Sequence, residues 1–151
     1  MPNKPVHLVT SGSVGTICAD VNAPTNGAGT DRFLEVAGGV LGGAPGGLLP
    51  DVFDPPCHPH HRSLAHDVLP VIAGAGVWVQ GLAGWQTHLR EQAEAYSRLR
   101  VSTVDPFLAA WYGFVEMALR VLCGAVAGLG AGYLTHVALD FTTPYCLPLI
   151  N

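Results

Sequence analysis

Charge is what this chain has least of. Asp, Glu, Lys and Arg make up 12% of its 151 residues and leave a net charge of -4 with neutral histidine. That is about half the usual charged share. So few basic residues give no broad electrostatic footprint for nucleic acid, and no long duplex is expected as a partner. Paired cysteines are missing too. Cys18, Cys57, Cys123 and Cys146 form no C-x-x-C, which argues against a zinc ribbon or a dense disulfide scaffold. Buried free thiols are the simplest expectation, with Cys57 set apart by its neighbour His58. No stretch alternates polar and apolar residues long enough to make a strand. No secretory signal is convincing either, because Val6–Ala19 contains His7 and is too polar for a signal core. The chain is therefore expected to stay inside a cell or a particle, with membrane association open.

What the chain has instead is glycine, proline and blocks of apolar residues. Its length suits one domain, 1–151, large enough for a real core. Val6–Ala19 reads as a short helix carrying His7, and Val21–Thr30 as a loop. Asp31 is placed to cap a helix over Arg32–Gly43, which Gly42, Gly43, Pro45, Gly46 and Gly47 should then stop. Prolines 50, 55, 56 and 59 exclude regular helix over Leu48–His61. Asp67–Trp85 is apolar, and Thr87–Val101 is the strongly polar helix candidate. Asp105-Pro106 is a good helix start, opening one long helix or two stacked ones over Phe107–Phe141. Within it Glu116 and Arg120 are spaced to pair. The expectation is an all-α compact bundle of four to six helices.

Glycine recurs every fourth residue, at Gly124, Gly128 and Gly132, at Gly38 and Gly42, and at Gly39 and Gly43. Each costs about 1 kcal/mol in a helix interior. The pattern predicts close helix–helix approach, as in membrane bundles or a tightly packed soluble core. Asp67–Trp85 and Val121–Leu134 lie near or below the roughly 20 residues needed to span a bilayer. If they do span, Arg90, Arg98 and Arg100 mark the cytoplasmic side. The glycine-rich helices are also candidate contacts for a membrane or a protein assembly.

Four of seven histidines and three of eleven acidic residues fall within Leu49–Asp67, LPDVFDPPCHPHHRSLAHD. Asp51, Asp54, His61, Arg62 and His66 combine carboxylate and imidazole in the manner of a site for Zn²⁺, Mn²⁺ or Fe²⁺. A surface loop enriched in histidine by chance is the plain alternative. A second group, His136 and Asp140, sits four residues apart in an apolar helix, so both project from one face. Burying two such groups is costly without a partner or a metal. A histidine hydrogen-bonded to the Asp of its own helix is the simpler reading. His7 stands alone in its segment.

Taken in order, LLPDVFDP, HRSLAHD and AGYLTHVALDFTTP resemble the membrane-bound metal-dependent hydrolases. That family is distantly related to the zinc-dependent phospholipases C and the S1/P1 nucleases. The resemblance runs over most of the chain, from His7 through Leu49-Pro50-Asp51 and His61-Arg62…His66 to Gly132-Tyr133…His136…Asp140. The chain departs from the pattern at Asp54, one residue later than the family's second Asp, and at Ala65-His66-Asp67. The resemblance implies helices around a cluster of zinc-like ions, two or more, with the proline- and histidine-rich loop ordered by ligation. His7, Asp51, Asp54, His61, His66, His136 and Asp140 are then the candidate metal ligands. Asp51 and Arg62 are the candidate catalytic pair, with Arg62 neutralising a phosphoryl oxygen. The activity implied is hydrolysis of a phosphoester, phospholipid or nucleotide by a metal-activated water. A structural metal in a non-enzymatic membrane or assembly component uses the same residues, and so does a membrane protein that moves protons or metal ions past its histidines.

Overall fold

Residues 4–24, 29–53 and 68–141 are described by the structure, a computed structural model. The protein is an all-α bundle. Its elements are α1 (Lys4–Asn22), α2 (Gly29–Gly46), the short α3 (Leu49–Phe53), α4 (Val68–Ser102) and α5 (Pro106–Phe141). There is no strand among the described residues. Helices α1, α2 and α5 pack on one another, and α4 returns antiparallel along α5.

Glycine makes the packing of α2 on α5 possible. The two helices run parallel with their backbones nested. A Cβ added at Gly38, Gly42 or Gly46 would strike the carbonyl oxygen of Val121, Ala125 or Leu129. In return, a Cβ added at Gly124, Gly128 or Gly132 would strike the carbonyl oxygen of Glu35, Gly39 or Gly43. Each ladder steps by four residues, so its glycines stack along one helix face. Antiparallel α1 closes the third side. A Cβ at Gly15 would lie 2.6 Å from Gly39 O and 3.2 Å from Gly128 Cα. At Gly81 and Gly84 of α4, by contrast, an added Cβ would meet nothing.

Several helix boundaries differ from the expectation. Helix α2 starts at Gly29, which puts Asp31 in its first turn rather than at its cap. It runs through Gly42 and Gly43 and past Pro45. The glycines do not stop the helix because α5 packs against Gly42 and α1 against Gly43. Pro45 lies in the last turn, on an exposed face, and removes one bond, that to Leu41 O, near the helix end. Leu49–Phe53 is helical despite Pro50, which sits in the first turn, where proline is tolerated. The apolar and polar stretches on either side of Gln86 form one helix, α4. The Asp105-Pro106 start is as expected, with Asp105 Oδ1 accepting from Phe107 N at 2.8 Å and Leu108 N at 3.3 Å. From there α5 is continuous.

Glu116 and Arg120 do not pair with each other. Glu116 accepts from Arg100 Nε of α4 at 3.0 Å, while Arg120 turns to α2, with Asp31 at 3.1 Å and Glu35 at 3.9 Å. Glu35 is fully buried and also takes Arg90 of α4, at 2.7 Å from Nη2. Arg90 in turn donates to the Asn22 carbonyl. Two acids and two guanidiniums thus join α1, α2, α4 and α5. Nearby on the surface, the Arg32 guanidinium holds the Asp20 carboxyl below the usual carboxylate range.

The inside and outside of this bundle are unlike those of a typical soluble domain. Among the described residues, the buried apolar side chains are Ala19, Ala23, Ala93, Cys123, Ala127 and Val137. The other buried groups include His7, Ser11, Glu35, Arg120, His136 and Asp140. Large apolar side chains face outward, among them Val9, Ile17, Val21, Phe33, Leu41 and Leu122. Pro106–Asp140 is long and apolar enough to cross a membrane.

Candidate metal centre

The end of the bundle opposite the Glu35 network gathers the titratable residues. His7 comes from the first turns of α1, Asp51 from α3, and His136 and Asp140 from successive turns near the end of α5. His136 Nε2 lies 3.3 Å from Asp140 Oδ2 and 3.6 Å from Asp51 Oδ1. His7 Nε2 lies 3.7 Å from Asp140 Oδ1. The two imidazoles stack at 4.1 Å between centroids. His7, His136 and Asp140 are all buried, and their ligand atoms fall within 4.8 Å of one another. Asp51 is the more open member, its side chain a quarter exposed.

A main-chain carbonyl orients His136. Gly47 O lies 2.5 Å from its Nδ1. A carbonyl oxygen only accepts, so Nδ1 carries the proton and donates. That turns Nε2 toward two carboxylates. Ser11, one turn beyond His7, supports this arrangement. Its hydroxyl donates to Gly132 O at 3.3 Å, and a Cβ on Gly47 would strike its side chain. His7 Nδ1 is buried and meets no hydrogen-bond partner among the described residues.

The donor set fits a divalent cation. Zinc binds imidazole and carboxylate at roughly 2.0–2.2 Å, so neighbouring ligands in a tetrahedron stand about 3.3–3.6 Å apart. The contacts at 3.3, 3.6 and 3.7 Å are close to that spacing, the first and last through different oxygens of Asp140. Metal-binding histidines commonly donate one ring N–H to a main-chain carbonyl and turn the other ring nitrogen to the cation.

Of the seven candidate ligands, the structure brings together His7, Asp51, His136 and Asp140. Asp54, His61 and His66 lie outside the described residues, as do Arg62, Asp67, Cys57 and His58. Sequence reasoning missed Gly47 and Ser11, which act through contacts that spacing does not show. It also missed the Glu35 network. There the signal was Glu35 itself, the last charged residue of α2 before its run of glycines. Comparison with protein-family models, curated proteins and solved structures found no match.

Proposed function

We propose that the protein is a membrane-embedded, metal-dependent hydrolase that acts on a phosphoester. The observation that carries this reading is the meeting of His7, His136 and Asp140 of α1 and α5 at one buried point, with Asp51 of α3 at its open side, 3.6 Å from His136 Nε2. A divalent metal bound there would polarise a phosphoryl oxygen and bring the pKa of its water to about 7. His7, His136 and Asp140 would hold the cation from the buried side. Asp51, at the open side, is placed to hold the attacking water and take its proton. The buried Nδ1 of His7 supports a second donor atom facing a water or an adjacent ion, since an unpaired buried polar atom costs about 1–3 kcal/mol. Phosphoester as the substrate class, zinc as the metal and Arg62 as the phosphoryl contact rest on the family resemblance.

The membrane part of the reading rests on the distribution of side chains. Pro5–Ala19 of α1, Val36–Gly46 of α2, Val68–Leu89 of α4 and Val121–Leu139 of α5 carry no Asp, Glu, Lys or Arg. At 1.5 Å per residue the α1 and α5 stretches are roughly 22 and 28 Å long, close to the roughly 30 Å of a bilayer core. The charged network bounds them at one end, while at the other end His7 and His136 lie inside the α1 and α5 stretches and Asp140 follows the latter. Hydroxyls within these stretches are met inside the bundle: Thr16 bonds back to Gly12 O at 2.7 Å and Thr135 to Ala131 O at 2.7 Å, while Ser11 reaches across to Gly132 O. That satisfies them without water. Small residues at the helix contacts, with large apolar ones outside, are what helix packing in lipid favours.

A structural metal is the second reading. It is favoured by the burial of three of the four donors, because a closed coordination sphere marks a structural site. The test is metal content of the purified chain beside His136→Ala/Asp140→Ala, followed by assays on phosphomonoesters, phosphodiesters and phospholipids. Metal that is lost in the double variant, with turnover lost alongside it, supports the hydrolase. Metal without turnover on any of these substrates supports the structural role. A folded, metal-free wild type that takes up no added zinc refutes both. Recovery of the chain in the soluble fraction after lysis refutes the membrane part alone.

A further inference from the structure

The hydrogen bond that orients His136 continues the glycine ladder. Along α2, the carbonyls of Glu35, Gly39 and Gly43 face Gly124, Gly128 and Gly132 of α5. Every pair is separated by the same number of residues, and the step from one to the next is four. The next step of four leads to Gly47 and His136, and there the carbonyl of Gly47 meets Nδ1 of His136 at 2.5 Å. The first three rungs bring a carbonyl against a glycine Cα, a contact that contributes little by itself. The fourth brings one against an imidazole N–H. The register that the glycines fix in the middle of the bundle therefore delivers the acceptor to the histidine at its end.

We propose that the α2–α5 glycine ladder is a positioning device for the metal centre. Its register, carried through the Gly47 carbonyl, holds His136 as the Nδ1–H tautomer with Nε2 aimed at the ion. This rests on the metal-site reading but adds to it: a residue far from every ligand sets metal affinity. Gly128 lies eight residues, about 12 Å, from His136 along α5. A Cβ there would run into Gly39 O and come within 2.8 Å of Gly43 N. Backbone cannot swing aside as a flexible side chain can, so α2 must move away or slide, and Gly47 O with it. Positioning shells around metal histidines are worth about 10–100-fold in metal affinity.

The experiment measures zinc binding to the full chain, with two-bond nitrogen–proton NMR of His136 in the metal-free protein. Gly128→Ala is expected to weaken zinc binding at least tenfold although every ligand is intact. Ala93→Gly, a buried α4 position off the ladder, is the control. It loses stability and is expected to keep zinc affinity. Wild-type His136 is expected to show protonated Nδ1. Unchanged affinity in a folded Gly128→Ala overturns the proposal, and so does equal loss in Ala93→Gly. If Gly128→Ala does not fold, the tautomer decides alone, and protonated Nε2 with bare Nδ1 overturns it. Failure of the metal-site reading looks different, because wild type then binds no zinc at all.

Discussion

Replacing Gly15 and Gly84 by alanine separates packing from helix propensity, because the same substitution should act with opposite sign. Both glycines lie inside helices, and alanine gains about 1 kcal/mol over glycine there. At Gly84 an added Cβ meets nothing, so that gain survives, and the variant should be as stable as wild type or up to about 1 kcal/mol more stable. At Gly15 the Cβ would stand 2.6 Å from Gly39 O, 2.8 Å from Gly43 Cα and 3.2 Å from Gly128 Cα. Ordinary contact begins at 3.4 Å, so α2 must retreat by about 0.8 Å. A gap of that size forfeits a quarter to a half of each dispersion contact it opens. Overpacking of this kind costs about 1–3 kcal/mol. Because three helices meet here and all the obstructing atoms are backbone, the upper half of that range applies, and the net loss is about 1–2 kcal/mol. Unfolding followed by circular dichroism, in detergent, reads both variants. Equal destabilisation of the two, or none at Gly15, would show that glycine contacts do not hold α1 to α2 and α5.

The remaining predictions concern charge and metal. Glu35→Gln leaves Arg90 and Arg120 with one fewer buried carboxylate and should destabilise by about 3–5 kcal/mol. Adding Arg90→Gln should recover part of that loss, and a double variant no better than the single would refute the pairing. Zinc at about a hundredfold over its dissociation constant should stabilise the chain by about 2.7 kcal/mol, read as a rise in melting temperature that chelation reverses. Asp140→Asn should abolish the rise, and a rise that persists there places the ion elsewhere. The depressed Asp20 carboxyl contributes stability above its unfolded pKa of 3.8 and loses it as pH falls through the folded value. Asp20→Asn should therefore fall slightly below wild type at neutral pH and match it in strong acid. Because the pair is exposed, added salt should narrow the neutral-pH difference, and a gap that widens in acid would refute the assignment.

The elements that were legible in the sequence are those whose causes are local. Asp105-Pro106 announces α5 because the cap and the proline act within one turn. The four-residue glycine spacing announces close packing because stacking on a helix face follows from helical periodicity. What stayed hidden depends on partners distant in sequence. Gly42 and Gly43 look like breakers until α5 and α1 lie against them. Glu116 and Arg120 look like a pair until Arg100 and Glu35 compete for them with burial in their favour. Of the candidate site, His136 and Asp140 were visible as a one-turn pair in an apolar helix. Asp51 and His7 are joined to them only by the resemblance and the fold.

That contrast explains why a chain so rich in glycine can hold so exact a cluster. A core of large side chains fixes helix separation through interdigitation and tolerates some repacking. A core of glycine and backbone has no such slack, since neither a carbonyl nor a Cα can change rotamer. Sliding α2 along α5 by one residue, about 1.5 Å, would take every rung off its glycine at once. The glycines cost helix propensity one by one, but together they leave a single register. In that register the Gly47 carbonyl meets His136, Ser11 lies against Gly47, and the imidazoles of His7 and His136 stack beside Asp140. A metal bound there would need donor atoms held a few tenths of an ångström from their ideal places, and the ladder is the part of the fold proposed to hold them.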